Sequence, residues 1–182
     1  MTDKQLRIVE VALDLFAQQG YASTPTSQIA QAAGVSEGLI FRHFINKEGL
    51  LDAIVKQGLA EVKNLAPQVL HEKDPHRVLA QAIELPIQLI RNHPRFWRLQ
   101  ASLKYQQADM AQKYDDSDVL VQLKAAVEEA FRQLKYPNPR AETRLLLIIL
   151  NGLMTELADE DHIDQEALVN FVKSKYNLAS NE

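Results

Sequence analysis

The chain has 182 residues, 46% hydrophobic and 24% charged, with 6 Gly, 7 Pro and no Cys, a composition that suits one or two small globular domains. The formal net charge of −4 does not by itself announce a polyanionic partner. The lack of cysteine excludes disulfides, thiolate zinc sites, iron–sulfur clusters and cysteine nucleophiles. Asp3, Lys4, Arg7, Glu10 and Asp14 interrupt any secretory apolar core, and the longest aliphatic run, Leu145 to Leu150, falls far short of the roughly 18 residues of a membrane span. The expectation is a cytoplasmic protein without membrane contact.

Apolar residues recur with a period near 3.6 and no stretch alternates over a strand's length, which predicts an all-α chain of about nine helices. Thr2 and Gln5 have capping-box spacing, and Leu6, Val9, Leu13 and Phe16 form the inner stripe of a first helix that stops at Gly20. Thr26 is the expected N-cap of a short helix containing Ile29, Ala30 and Ala33 and ended by Gly34; Ser36 caps a third, through Gly38 to Phe44. Asn46 caps a fourth that begins Lys47-Glu48 and continues through Leu50, Leu51, Ile54 and Val55. Asp74-Pro75 opens a fifth, to about Arg91, with a kink expected at Pro86. Further helices are expected over Pro94 to Gln107, Asp118 to Lys135, Arg140 to Ala158 and Asp164 to Tyr176.

Residues 26–44 read as helix, tight turn, helix. Gly34 at the turn, Val35 as an apolar plug and Ser36 as a small cap suit two short helices packed at a steep angle, and Ala30 and Ala33 let them approach closely. Ile29 and Ile40 are expected to bury against Leu13 and Phe16. Ser36, Glu37, Leu39, Arg42 and His43 then lie on the outer face of the second helix, the face that enters the major groove in a helix-turn-helix DNA reader. Arg42 suits bidentate contact to guanine O6 and N7, and Leu39 suits a thymine methyl; Glu37 either accepts from cytosine N4 or stays solvated, repelling phosphate. A compact hairpin without function explains the caps and the glycine equally well, but not Arg42, His43 and Lys47 along one edge beside an exposed Phe41.

Thr26, Ile29-Ala30, Ala33-Gly34-Val35-Ser36, Gly38, Phe41, His43-Phe44, Lys47-Glu48 and Leu50-Leu51 together resemble the amino-terminal domain of the tetracycline-repressor (TetR) family of bacterial regulators. The resemblance covers roughly residues 5–55. It implies phosphate contacts from Thr26, His43 and Lys47, the last with charge and helix dipole together, and close approach of the backbone to DNA at Gly38. The family usually has tyrosine where this chain has Phe41, so that contact keeps a van der Waals surface and loses a phosphate hydrogen bond. It also implies a reader over residues 1–50 and a helical effector-binding and dimerisation domain over residues 51–182. The function so implied is that of a regulator, more often a repressor, which binds a palindromic operator as a homodimer and is released by a small molecule. The alternative is a helical protein-interaction module that keeps the fold without reading DNA.

One helix-turn-helix covers too few base pairs for specific binding alone, so a dimer surface is expected. Residues 145–150 are apolar all round, which predicts a helix buried on both sides, one facing a second copy. Leu146, Ile149, Leu150 and Leu153, with Val119, Leu123, Val127 and Phe131 from the preceding helix, are the interface candidates. Phe96, Trp97, Tyr105, Met110 and Tyr114 are candidates for an effector pocket. Arg91, Arg95 and Arg98 share one helical stripe, either attracting an anion or simply solvated. Neither His71 with His76, nor Asp115 to Asp118, nor Ser102, Thr155 or His162 has the partners of a metal or catalytic site, so no enzyme, cofactor or metal is expected. Residues 1–50 carry four Lys and Arg against five Asp and Glu, whereas residues 151–182 carry two against seven, so the acidity belongs to the tail.

Overall fold

The computed structural model describes residues 1–106, 116–158 and 164–178, and the described residues form nine α-helices and no strand. These are α1 (Asp3–Gln19), α2 (Thr26–Ala33), α3 (Glu37–Phe44), α4 (Lys47–Leu70), α5 (Pro75–Asn92), α6 (Pro94–Gln106), α7 (Asp118–Gln133), α8 (Pro139–Ala158) and α9 (Gln165–Lys175). No helix among them is long and apolar enough to cross a membrane.

Local chemistry sets most helix starts. The Thr2 N–H donates to Gln5 Oε1 (2.8 Å) and the Gln5 N–H to Thr2 Oγ1 (3.3 Å), a complete capping box. Asp74 Oδ1 accepts from the His76 N–H (3.0 Å) ahead of Pro75, and Asn46 Oδ1 accepts from the Gly49 N–H (2.7 Å). Two caps differ from expectation. Pro25 stands at the N-cap of α2, so Thr26 is already helical, and Ser36 occupies the N-cap of α3 without a side-chain capping bond. Helices α4 and α5 continue through Pro67 and Pro86.

The chain divides into two compact units. One comprises residues 1–60 with the described residues 95–106; the other comprises residues 61–94, 116–158 and 164–178. In the first, Ile8, Val9, Ala12 and Phe16 of α1 are buried, as are Ile29 and Ala33 of α2, Ile40 and Phe44 of α3, and Leu50, Leu51 and Ile54 of α4. The stripe of α1 is therefore turned from the one expected. Leu6 is 37% exposed and Leu13 only half-buried, because Ile8 and Ala12 take the inward positions. Phe96 and Trp97 are buried edge to face (4.9 Å between centroids), and the Phe96 ring lies so close to Gly58 that a Cβ there would collide with it.

In the second unit α5 is the central helix, buried around most of its circumference and packed on α7, α8 and α9. Several of the residues expected at a dimer interface are core of this unit instead. Leu146 and Leu153 face the unit's own core, Ile149 and Leu150 are half-buried, and Leu145 (50%) and Ile148 (60%) are exposed. Val119, Leu123, Val127 and Phe131 of α7 are likewise core, because α5 supplies the apolar surface they need. Lys173 of α9 is buried in an ion pair with Glu84 of α5, beside an Arg91–Glu166 pair (2.8 Å).

Candidate nucleic-acid interface

The helix-turn-helix is built by its turn. Gly34 sits in the left-handed region (φ 65, ψ 38), its N–H bonds to the Gln31 carbonyl (3.1 Å), and the Val35 N–H reaches back to Ala30 (3.0 Å). This pair of bonds closes α2 in a Schellman motif and aims the chain into α3; a side chain at Gly34 would be strained there. Fully buried Ile29 and Ile40, on α2 and α3, belong to the same core as Phe16. At the other end of α3, Ile45 adopts φ 69 with 82% of its surface exposed, and the start of α4 comes so close that a Cβ on Gly49 would overlap the Phe44 carbonyl.

That frame leaves one face of α3 open. Ser36, Gly38, Phe41 (44%) and Arg42 are exposed, and Glu37, Leu39 and His43 half-exposed. Arg42 makes no hydrogen bond or ion pair among the described residues. Gly38 has nothing within 4 Å of where its Cβ would stand. A helical glycine costs up to about 1 kcal/mol relative to alanine, and no contact within the described residues requires this one.

Three of the expected phosphate ligands are held by neighbours. The Thr26 hydroxyl donates to Glu37 Oε1, joining the first residue of α2 to the first of α3. His43 Nδ1 lies 3.3 Å from Gln5 Nε2. Because Gln5 Oε1 already accepts the Thr2 amide, its NH2 group faces the ring, and the tautomer that accepts this bond at Nδ1 carries its proton on Nε2. Lys47 Nζ donates to the Ala22 carbonyl (3.4 Å) and lies 4.4 Å from the centre of the Tyr21 ring. Burial there lowers the Lys47 ammonium below the usual lysine range, against the opposing pull of Glu48. Burial, aided by Glu48, pushes the Tyr21 hydroxyl up to about 12. Gln5 and Tyr21 are site residues that sequence reasoning missed. The Thr2–Gln5 spacing signals a cap, but nothing local signals a ring 38 residues away.

Phe96 and Trp97 are core of the first unit; the side chain of Tyr105, and all of Met110, Tyr114, Asp115 and His162, lie outside the described residues. Arg91, Arg95 and Arg98 do not share one helix as expected, since Arg91 is in the last turn of α5 and Arg95 and Arg98 lie on α6; Arg95 pairs with Asp14 (2.7 Å) and Arg91 with Glu166. No three His, Asp or Glu among the described residues are grouped to hold a metal ion.

A short glycine-turned helix pair, backed by α1 and presenting a largely exposed polar edge, defines the class of helix-turn-helix proteins. Residues 8–54 match the family model of bacterial regulatory proteins of the tetR family. The chain is 32% identical over 152 residues to the HTH-type transcriptional regulatory protein RaaS of Mycobacterium tuberculosis, a match covering 80% of this chain and 67% of that protein. It is also 32% identical over 100 residues to the HTH-type transcriptional regulator YerO of Bacillus subtilis; that match covers 53% of this chain but spans only about a third (34%) of YerO. The transcriptional regulator FadR from Bacillus subtilis, solved in complex with stearoyl-CoA, shares the fold at a TM-score of 0.74, with 19% identity over 93% of this chain and 95% of that one. The chain belongs to the tetR family of bacterial regulatory proteins.

Proposed function

We propose that this protein is a sequence-specific DNA-binding regulator, acting as a repressor on a palindromic operator as a homodimer and released by a small-molecule effector. Residues 1–50 do the reading, and residues 51–182 carry dimerisation and effector binding. The single observation that carries the reading is the outer face of α3, where exposed Arg42 stands beside a helical Gly38 whose missing side chain serves no contact among the described residues. In the groove Arg42 reads guanine and Leu39 a thymine methyl, while Thr26, His43 through Nε2–H, and Lys47 after leaving the Tyr21 ring hold phosphates. Dimerisation uses the face of α8 left open by its own unit, Leu145, Ile148 and Gly152, with Val121 of α7. A bound stearoyl-CoA in the FadR neighbour makes that compound the first effector probe.

The test is a substitution pair on a selected duplex. Arg42→Ala is expected to relax discrimination at one operator position by about 1–3 kcal/mol, and Lys47→Ala to weaken all duplexes equally and lower the salt slope by about one. Unchanged binding in both variants contradicts the groove assignment.

A further inference from the structure

Thr26 and Glu37 stand at the first positions of α2 and α3, and the Thr26 hydroxyl is spent on Glu37 Oε1. A threonine hydroxyl has one proton to give. Pro25 offers no side-chain cap and the Ser36 side chain makes no capping bond, so this carboxylate is the side-chain acceptor found where the two helices begin. On the reading of α2 and α3 as a DNA reader, the same hydroxyl meets a phosphate. Phosphate and carboxylate then compete for one proton, and the loser is an anion left close to another anion.

We infer that Glu37 is a specificity-determining residue of the reader. It competes with phosphate for the Thr26 hydroxyl and releases it at full affinity only where a base amino group, cytosine N4 or adenine N6, becomes its new donor. Guanine O6 and N7 and thymine O4 are acceptors; opposite them the displaced carboxylate is desolvated without a partner. Glu37 therefore acts by penalising wrong sequences, and its gain on the right one is secondary. The inference rests on the proposed DNA-reading function and adds a rule for which sequences are refused.

The experiment measures binding of the whole chain, by fluorescence anisotropy, to a selected duplex and to an arbitrary one. Glu37→Ala is expected to raise affinity for the arbitrary duplex about tenfold while leaving the selected duplex unimproved, so that their ratio falls about tenfold or more. Glu37→Gln, of nearly the same shape but uncharged and able to donate, is expected to give the same rise on the arbitrary duplex. In a Thr26→Val background the rise should shrink, because the contested hydroxyl is gone and only the desolvation and phosphate repulsion of the carboxylate itself remain. An unchanged ratio overturns the inference, whether affinity rises equally on both duplexes or on neither, and so does a rise undiminished by Thr26→Val. If the wild-type chain prefers no duplex, the reader assignment falls and this inference with it; selective binding with an unchanged ratio overturns this inference alone.

Discussion

At the scale of the residue, Gly38 sets stability against function. A methyl group there meets nothing within the described residues, so Gly38→Ala should stabilise the fold by about 0.5–1 kcal/mol in urea unfolding through reduced freedom of the unfolded chain. On the proposed function the same methyl should abolish tight binding to a selected duplex, because it would stand between the backbone of α3 and the DNA. A variant that is both more stable and fully active would show that the glycine has no role at the groove. Tyr21 governs a pH limb. Its folded pKa of about 12 lies above the ordinary value of 10.0, so its contribution is intact below pH 10 and is lost as the pH rises from about 10 to 12. Tyr21→Phe keeps the ring beneath Lys47 and removes the titration; stability followed from pH 9 to 12 should fall less steeply in the variant than in the wild type.

At the scale of the element, the junction of α3 and α4 is strained at a side chain that contributes no burial. A β-branched residue at φ 69 is disfavoured by about 1–3 kcal/mol, and Ile45 is 82% exposed, so Ile45→Gly should raise stability by about 1 kcal/mol after the entropy cost of glycine. Gly49→Ala should do the opposite, because its methyl would overlap the Phe44 carbonyl; thermal unfolding of the two variants checks both signs. Helix ends were legible in the sequence where their chemistry is local: the Thr2–Gln5 box, the Gly34 stop and Asp74-Pro75 depend on residues within a few positions of each other. Which face turns inward was less legible. Leu6 and Leu13 are as apolar as Ile8 and Ala12, and only packing against α2 and the rest of the unit separates the two stripes. Likewise the all-round apolar run in α8 marked a helix with two apolar sides but not which residues turn into its own unit, Leu146 and Leu153, nor that α5 is central there. At the reader, residue types and exposure were legible, but the Gln5–His43 and Lys47–Tyr21 contacts join residues 38 and 26 positions apart and needed the fold.

At the scale of the whole molecule, the chain's net charge of −4 is no argument against DNA, because the acidic excess lies in residues 151–182 and the reader's edge is lined by Arg42, His43 and Lys47. On the proposed function, so few cations at one reader should make affinity depend on two copies, with a salt slope well below the value of about ten of the lac repressor. Ile148→Glu, on the exposed face of α8, should leave the stability of the single chain nearly unchanged, shift the protein to monomer in sedimentation, and weaken a full operator far more than a half-site. The most direct test of the account is selection of bound duplexes from a random pool by the chain, read by sequencing. The account predicts an inverted repeat whose half-sites lie about one helical turn or more apart, centre to centre; a pool that enriches no sequence, or only one unrepeated site, contradicts it.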